Sequence, residues 1–115
     1  MDRFRILCFG DSNTWGYIPG TGKRMPEKKR WPAVMQEILG EGYEVVAEGL
    51  SGRTVDVDDQ FWRGRNASKH LPRILLKHAP LGLVIVMLGT NDLKERFDRG
   101  VDEIAQGAGK LVDLI

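Results

Sequence analysis

Ile6-Leu7-Cys8-Phe9-Gly10-Asp11-Ser12-Asn13 decides how the rest of this sequence is read. Four apolar residues run into a glycine, and an acid, a hydroxyl and an amide follow at once. A short apolar run bounded by turn residues marks a buried strand. The glycine is expected to let the chain turn sharply where a side chain would clash. Ser12 then stands at the carboxyl end of a strand, where open α/β sheets place their ligands. That position makes it the expected nucleophile.

Two later stretches follow the same pattern. Tyr43 to Glu48 reads as a strand in which Tyr43, Val45 and Ala47 alternate with Glu44, Val46 and Glu48. Acids on one face suit a sheet edge. This strand runs into Gly49-Leu50-Ser51-Gly52. Leu83 to Leu88 is apolar on both faces, the mark of a strand buried inside a parallel sheet, and it delivers Gly89-Thr90-Asn91-Asp92.

Helical spacing fills the intervals. Trp31-Pro32 opens a helix, since proline suits the first helical position, and Gly40 closes it. Its stripe of Trp31, Val34, Met35, Ile38 and Leu39 is expected to be the buried face. A second helix begins near Asn66 to Pro72 and carries Leu71, Ile74, Leu75 and His78 on one side. A third starts near Asp98 with Val101, Ile104, Ala105, Ala108, Leu111, Val112 and Ile115 in line. Gly107 and Gly109 weaken it by about 1 kcal/mol each relative to alanine. Trp15 to Arg30, with Pro19-Gly20 and Gly22, reads as a surface loop. Strands alternating with helices give an α/β fold with a parallel sheet.

Composition narrows the class. At 115 residues, 42% hydrophobic and 29% charged, the chain is one globular domain and not a disordered segment. A net charge of +1 gives it no general attraction to nucleic acid or an anionic membrane. The run Lys23-Arg24 to Lys28-Lys29-Arg30 reads as a solvated loop. The first apolar run, Ile6 to Phe9, is too short for a signal peptide or a membrane span. Cys8, the single cysteine, reads as a buried reduced thiol in a cytoplasmic protein.

In a parallel sheet the three strand ends share one rim. A hydroxyl, a glycine amide and a carboxamide are therefore expected around one crevice. Acyl transfer needs a nucleophile and donors aimed where an oxyanion forms. Ser12 supplies the first; the amides of Ser12 and Gly52 and the side chain of Asn91 supply the donors. Trp15 and Trp62 would wall a substrate pocket, and Asp11 and Asp92 would brace the loops. Glycine-polar turns are common in α/β proteins, so spacing alone also admits a nucleotide or flavin binder. A phosphate loop at Gly20-Thr21-Gly22-Lys23 is rejected. Gly16 to Gly22 leaves five residues where that motif has four, and Arg24 replaces its hydroxyl.

FGDSNTWG resembles the first signature block of the SGNH, or GDSL-type, hydrolases, with Ser12 at the nucleophile position. EGLSGRT resembles the second block, putting Gly52 at the oxyanion glycine. VMLGTNDLK resembles the third, putting Asn91 at the oxyanion asparagine. The wording is most similar to the bacterial arylesterase and acyltransferase branch. The resemblance implies a flavodoxin-like three-layer α/β/α sandwich and a small-molecule ester substrate, aryl or alkyl. It further implies no metal or organic cofactor and a homo-oligomer. Asp11, Trp15 and Trp62 are the residues expected to bind the substrate.

The chain departs from the family pattern at one point. The fourth element, an Asp-x-x-His that supplies the base and its orienting acid, is absent, since no aspartate here has a histidine three residues later. His70 and His78, the only histidines, read as structural or surface residues. The expectation is an N-terminal part of one SGNH domain, cut after the third strand and its helix. Alone it would carry nucleophile and oxyanion hole without a base. A non-catalytic binding module of the same fold is the alternative.

Overall fold

The computed structural model describes residues 2–115, and the sheet is built around the strand the opening stretch marks. That strand, β1 (Phe4–Gly10), is the middle of three parallel strands. It pairs with β4 (Tyr43–Gly49) on one side and with β5 (Leu83–Met87) on the other. Ile6, Leu7, Cys8 and Phe9 are all buried, as a central strand requires. Burial pushes the Cys8 thiol up to about 11, so it stays protonated at neutral pH. The chain leaves β1 toward one edge and returns to the other, so the sheet's topological switch point lies at the end of β1. Ser12 follows two residues after that end.

The chain forms two compact units. The first holds the residues up to Ser51 together with His78–Met87, and the second holds Gly52–Lys77 and Leu88–Ile115. In the first, α1 (Ser12–Trp15) follows β1 directly. Two short strands, β2 (Tyr17–Ile18) and β3 (Lys23–Arg24), form an antiparallel ribbon where a plain loop was expected. The turn signals at Gly20 and Gly22 are the tip of that ribbon, both with positive φ. Helix α2 (Trp31–Leu39) carries proline in its first turn and ends at Gly40, as its sequence predicts. At the other end of the sheet, Arg5 donates to Glu44 and to the carbonyl of His78. Phe4 and Tyr43, facing each other in register, meet edge to face with ring centroids 5.9 Å apart.

One expectation about burial is corrected. On α2 the anticipated inner stripe is largely exposed: Ile38 is 78% and Val34 41% accessible, and Leu39 is exposed too. The buried residue is Pro32, and Gln36 faces the sheet. Its carboxamide donates to the Tyr43 carbonyl at 2.8 Å and accepts from the Val45 N–H at 2.7 Å. Bonding to an edge strand, not apolar spacing, sets how α2 is turned. β5, whose apolar faces read as those of a strand inside a parallel sheet, has one bare edge here. Leu83 and Met87 are exposed and Val84 to Val86 half-buried, because β5 pairs only with β1 among the described residues.

The second unit contains α3 from Ala67 to its penultimate residue, Lys77 (the helix closes at His78 of the first unit), and α4 (Val101–Leu114). A parallel bridge between Thr54 and Asn66 ties the loop after β4 to the start of α3. Asn66 accepts from the Ser68 N–H with its side chain and so starts the helix. Val55, Ala67, Leu71, Ile74 and Leu111 are its buried apolar residues. Of the predicted α4 stripe, Leu111 is buried and Ile104 and Ala108 half-buried, whereas Val101, Ala105, Val112 and Ile115 are exposed.

Candidate active site

The segment after β1 is a tight cap. Asp11 is buried, and its carboxylate accepts from the Asn13 N–H at 3.0 Å. Its carbonyl accepts from Thr14 and Trp15. This is the bracing role expected of it, and it starts α1 at Ser12. Ser12 is half-buried, and among the described residues its hydroxyl has no hydrogen-bond partner. Gly10 is needed for space and not for an unusual turn. Its φ is not positive, but a Cβ there would collide with the Thr14 hydroxyl and press on the Met87 carbonyl. Gly49, at the same level of β4, would strike the backbone of Thr14 and Trp15. The two glycines let α1 sit on the strand ends.

Trp15 is half-buried, with the Arg24 guanidinium 4.6 Å from its ring. Arg24 also donates to the Trp15 carbonyl, which fixes the ribbon against α1. Beside them opens a cleft of about 650 Å³, lined by Thr14, Trp15, Arg24, Arg30, Gln36 and the outer part of β4. Burial, with Arg30 nearby, lowers the Arg24 pKa from its ordinary value.

In the second unit, Gly52 is buried with φ at +82°, a conformation that glycine reaches without strain. A Cβ at this position would run into the Trp62 ring, so Trp62 lies directly against it. The Arg65 guanidinium stacks 3.9 Å from the same ring. Among the described residues the Gly52 N–H makes no hydrogen bond, although the residue is buried. That donor is left unspent by the protein groups around it.

Asn91 opens a 3₁₀ turn after β5, and its Nδ2 donates to the Arg53 carbonyl at 3.0 Å. One of its two amide hydrogens is thereby fixed and the other is left to point elsewhere. Asp92 is fully buried and both its oxygens accept from the Val55 N–H at 3.2 Å. Burial raises its carboxyl pKa, against the pull of that N–H and of Arg99. The loops carrying Gly52 and Asn91 are thus stitched together twice, side by side.

Asp11, Ser12 and Trp15 therefore belong to one unit, and Gly52, Trp62 and Asn91 to the other. The histidines are engaged. His78 Nε2 lies 2.5 Å from a Glu48 oxygen, and His70 contacts Arg73. Burial, then Arg73, Arg53 and Lys69, lower the His70 pKa. No three side chains of metal-ligating type come together among the described residues, and no helix there is long and apolar enough to cross a membrane. Of this cluster the sequence reading found only Asp92, as a loop brace; Arg99 itself escaped it, and the glycine inside α4 was its trace.

Comparison with known proteins agrees with the three loops. Residues 8–115 match the GDSL-like Lipase/Acylhydrolase family. An arylesterase from Vibrio mimicus is 31% identical over 114 residues, which are 96% of this chain and 48% of that protein. Est24, a carbohydrate acetylesterase from Sinorhizobium meliloti, superposes with a TM-score of 0.96 at 48% identity, covering 98% of this chain and 54% of that one. The native aryl esterase of M. smegmatis gives 0.95 at 45% identity, with 97% and 54% covered. The chain thus spans about half the length of these relatives. A match running from inside β1 to the end of α4, through the Ser12, Gly52 and Asn91 loops, makes this chain a member of the GDSL-like lipase/acylhydrolase family.

Proposed function

We propose that the protein to which this chain belongs is a serine esterase acting on small aryl or alkyl esters through an acyl-enzyme at Ser12. The Ser12 oxygen attacks the ester carbonyl carbon while a base takes its proton. The Gly52 N–H and the second amide hydrogen of Asn91 hold the oxyanion. Collapse of the tetrahedral species breaks the carbonyl–alkoxy bond, and the alcohol leaves with the proton. Water then resolves the acyl-enzyme, or another alcohol does, which would make the reaction an acyl transfer. Trp15 and Trp62 contact the substrate, and Asp11 holds the nucleophile's loop.

The observation that carries this reading is the Gly52 N–H with no partner among the described residues, adjoining a loop fixed by Asn91. An acyl-transfer site accounts for it, because a donor reserved for the transition state must be unspent in the resting state. The family match and the relatives named arylesterase and carbohydrate acetylesterase support the ester class. The base and its acid are proposed to come from outside residues 1–115, since both histidines here are engaged with other side chains. Residues 1–115 alone are therefore proposed to be inactive. A cytoplasmic setting is proposed on the single cysteine, Cys8, which is buried and free, and the exposed apolar face of α2 supports self-association.

The test uses the full-length protein and a chromogenic acetyl ester. Ser12→Ala is expected to remove turnover by about three orders of magnitude, and Asn91→Ala to lower kcat by about 10²–10³. Full turnover in Ser12→Ala would end the proposal. Tight ester binding with no turnover in the parent protein would favour the binding-module alternative.

A further inference from the structure

We propose that Arg99, held in place by Asp56 and by the missing side chain of Gly107, is a positioning residue for the oxyanion loops. The proposal rests on the esterase reading above. Arg99 is only 10% exposed and reaches two acids at once. Nη1 donates to Asp92 at 2.9 Å, and Nη2 lies 2.6 Å from Asp56 Oδ1. Nη2 also donates to the Glu103 carbonyl in the first turns of α4. Asp92 holds the Val55 N–H, and its neighbour Asn91 holds the Arg53 carbonyl. One guanidinium therefore connects the segment that follows Gly52, the turn that carries Asn91, and α4.

The acids explain why the residue must be arginine. Asp92 is fully buried and Asp56 only 8% exposed on its side chain. Two buried carboxylates need a partner that serves both, and a planar guanidinium holds its donors in a fixed fork where an ammonium is a compact point charge on a flexible stem. Gly107 makes the arrangement possible. A Cβ there would overlap the Asp56 carboxylate. Lys110, one turn on, covers the outer oxygen of Asp56 at 3.2 Å. A glycine in the middle of a helix is thus the seat of the strut.

The experiment compares Gly107→Ala, Arg99→Lys and Arg99→Met in the full-length enzyme, reading thermal midpoint, kcat, KM and the acylation burst with a nitrophenyl ester. Gly107→Ala leaves every charge in place and is expected to keep the fold. It should lower kcat and the burst rate by about 10–100-fold with KM changed less than twofold. Arg99→Lys is expected to recover the thermal midpoint relative to Arg99→Met without recovering kcat. A merely structural arginine would recover both. Parental kcat in folded Gly107→Ala or Arg99→Lys overturns the proposal, as does loss of the fold in all three variants. If the parent protein shows no Ser12-dependent turnover, the esterase reading itself fails; normal parental turnover with unaltered variants removes this inference alone.

Discussion

Asp59 and Asp92 are both buried aspartates, yet their carboxyls move in opposite directions. Asp59 accepts two bonds from Arg96 and one from the Phe61 N–H. The Arg96 bonds hold its pKa below the ordinary carboxylate range. Asp92 is raised chiefly by burial. A depressed folded-state pKa contributes stability above the unfolded value and loses it as pH falls through the folded one. A raised carboxyl pKa does the reverse, favouring the folded state in acid and losing that advantage as pH rises through it. Asp59→Asn should therefore lower stability near pH 7 by about 2 kcal/mol, since the partner arginine is partly exposed. It should also flatten the acid limb of the thermal midpoint below about pH 5. Midpoints measured from pH 7 to pH 3 check both effects, and parallel acid limbs in parent and variant would contradict the assignment.

Among the elements, the one the sequence misdescribes most is α2, and the reason yields a prediction. Its boundaries were legible, because Pro32 and Gly40 are local signals that act through the helix's own backbone. Its orientation was not, because it depends on β4, a strand it meets only after folding. All of β4 pairs in register with β1, and the Tyr43 carbonyl and the Val45 N–H are the groups that it turns outward, toward Gln36. Gln36 occupies both of those groups and also donates to the Gly40 carbonyl. Gln36→Ala should cost about 1–2 kcal/mol and expose a strand edge able to recruit another chain. Chemical denaturation with sedimentation at rising concentration reads both; a variant as stable and as dispersed as its parent would refute the role. The same contrast runs through the site. Ser12, Gly52 and Asn91 sit in short motifs whose residue types announce themselves. Arg99 serves the Asn91 loop from a position that carries no motif, across a contact with Asp56 far back in the chain. Gly107 could be read only as a weakness of its helix until Asp56 was seen to lie on it.

At the scale of the whole molecule the two edges of the sheet are treated differently, and that difference predicts how residues 1–115 behave alone. The β4 edge is occupied by Gln36 and bears Glu44 and Glu48, which are paired with Arg5 and His78. The β5 edge, Leu83-Val84-Ile85-Val86-Met87, carries no charge and pairs on one side only among the described residues. Long apolar edges of this kind template pairing with further strands. The isolated 115-residue chain should therefore sediment as dimers or larger species at micromolar concentration. Growth through β5 would slow amide exchange at Leu83–Met87 as concentration rises while leaving the β4 amides unchanged, because Gln36 already shields that side. Protection at β4 instead would mean that Gln36 guards nothing, and a monomer throughout the concentration range would mean that the β5 edge is closed by other means.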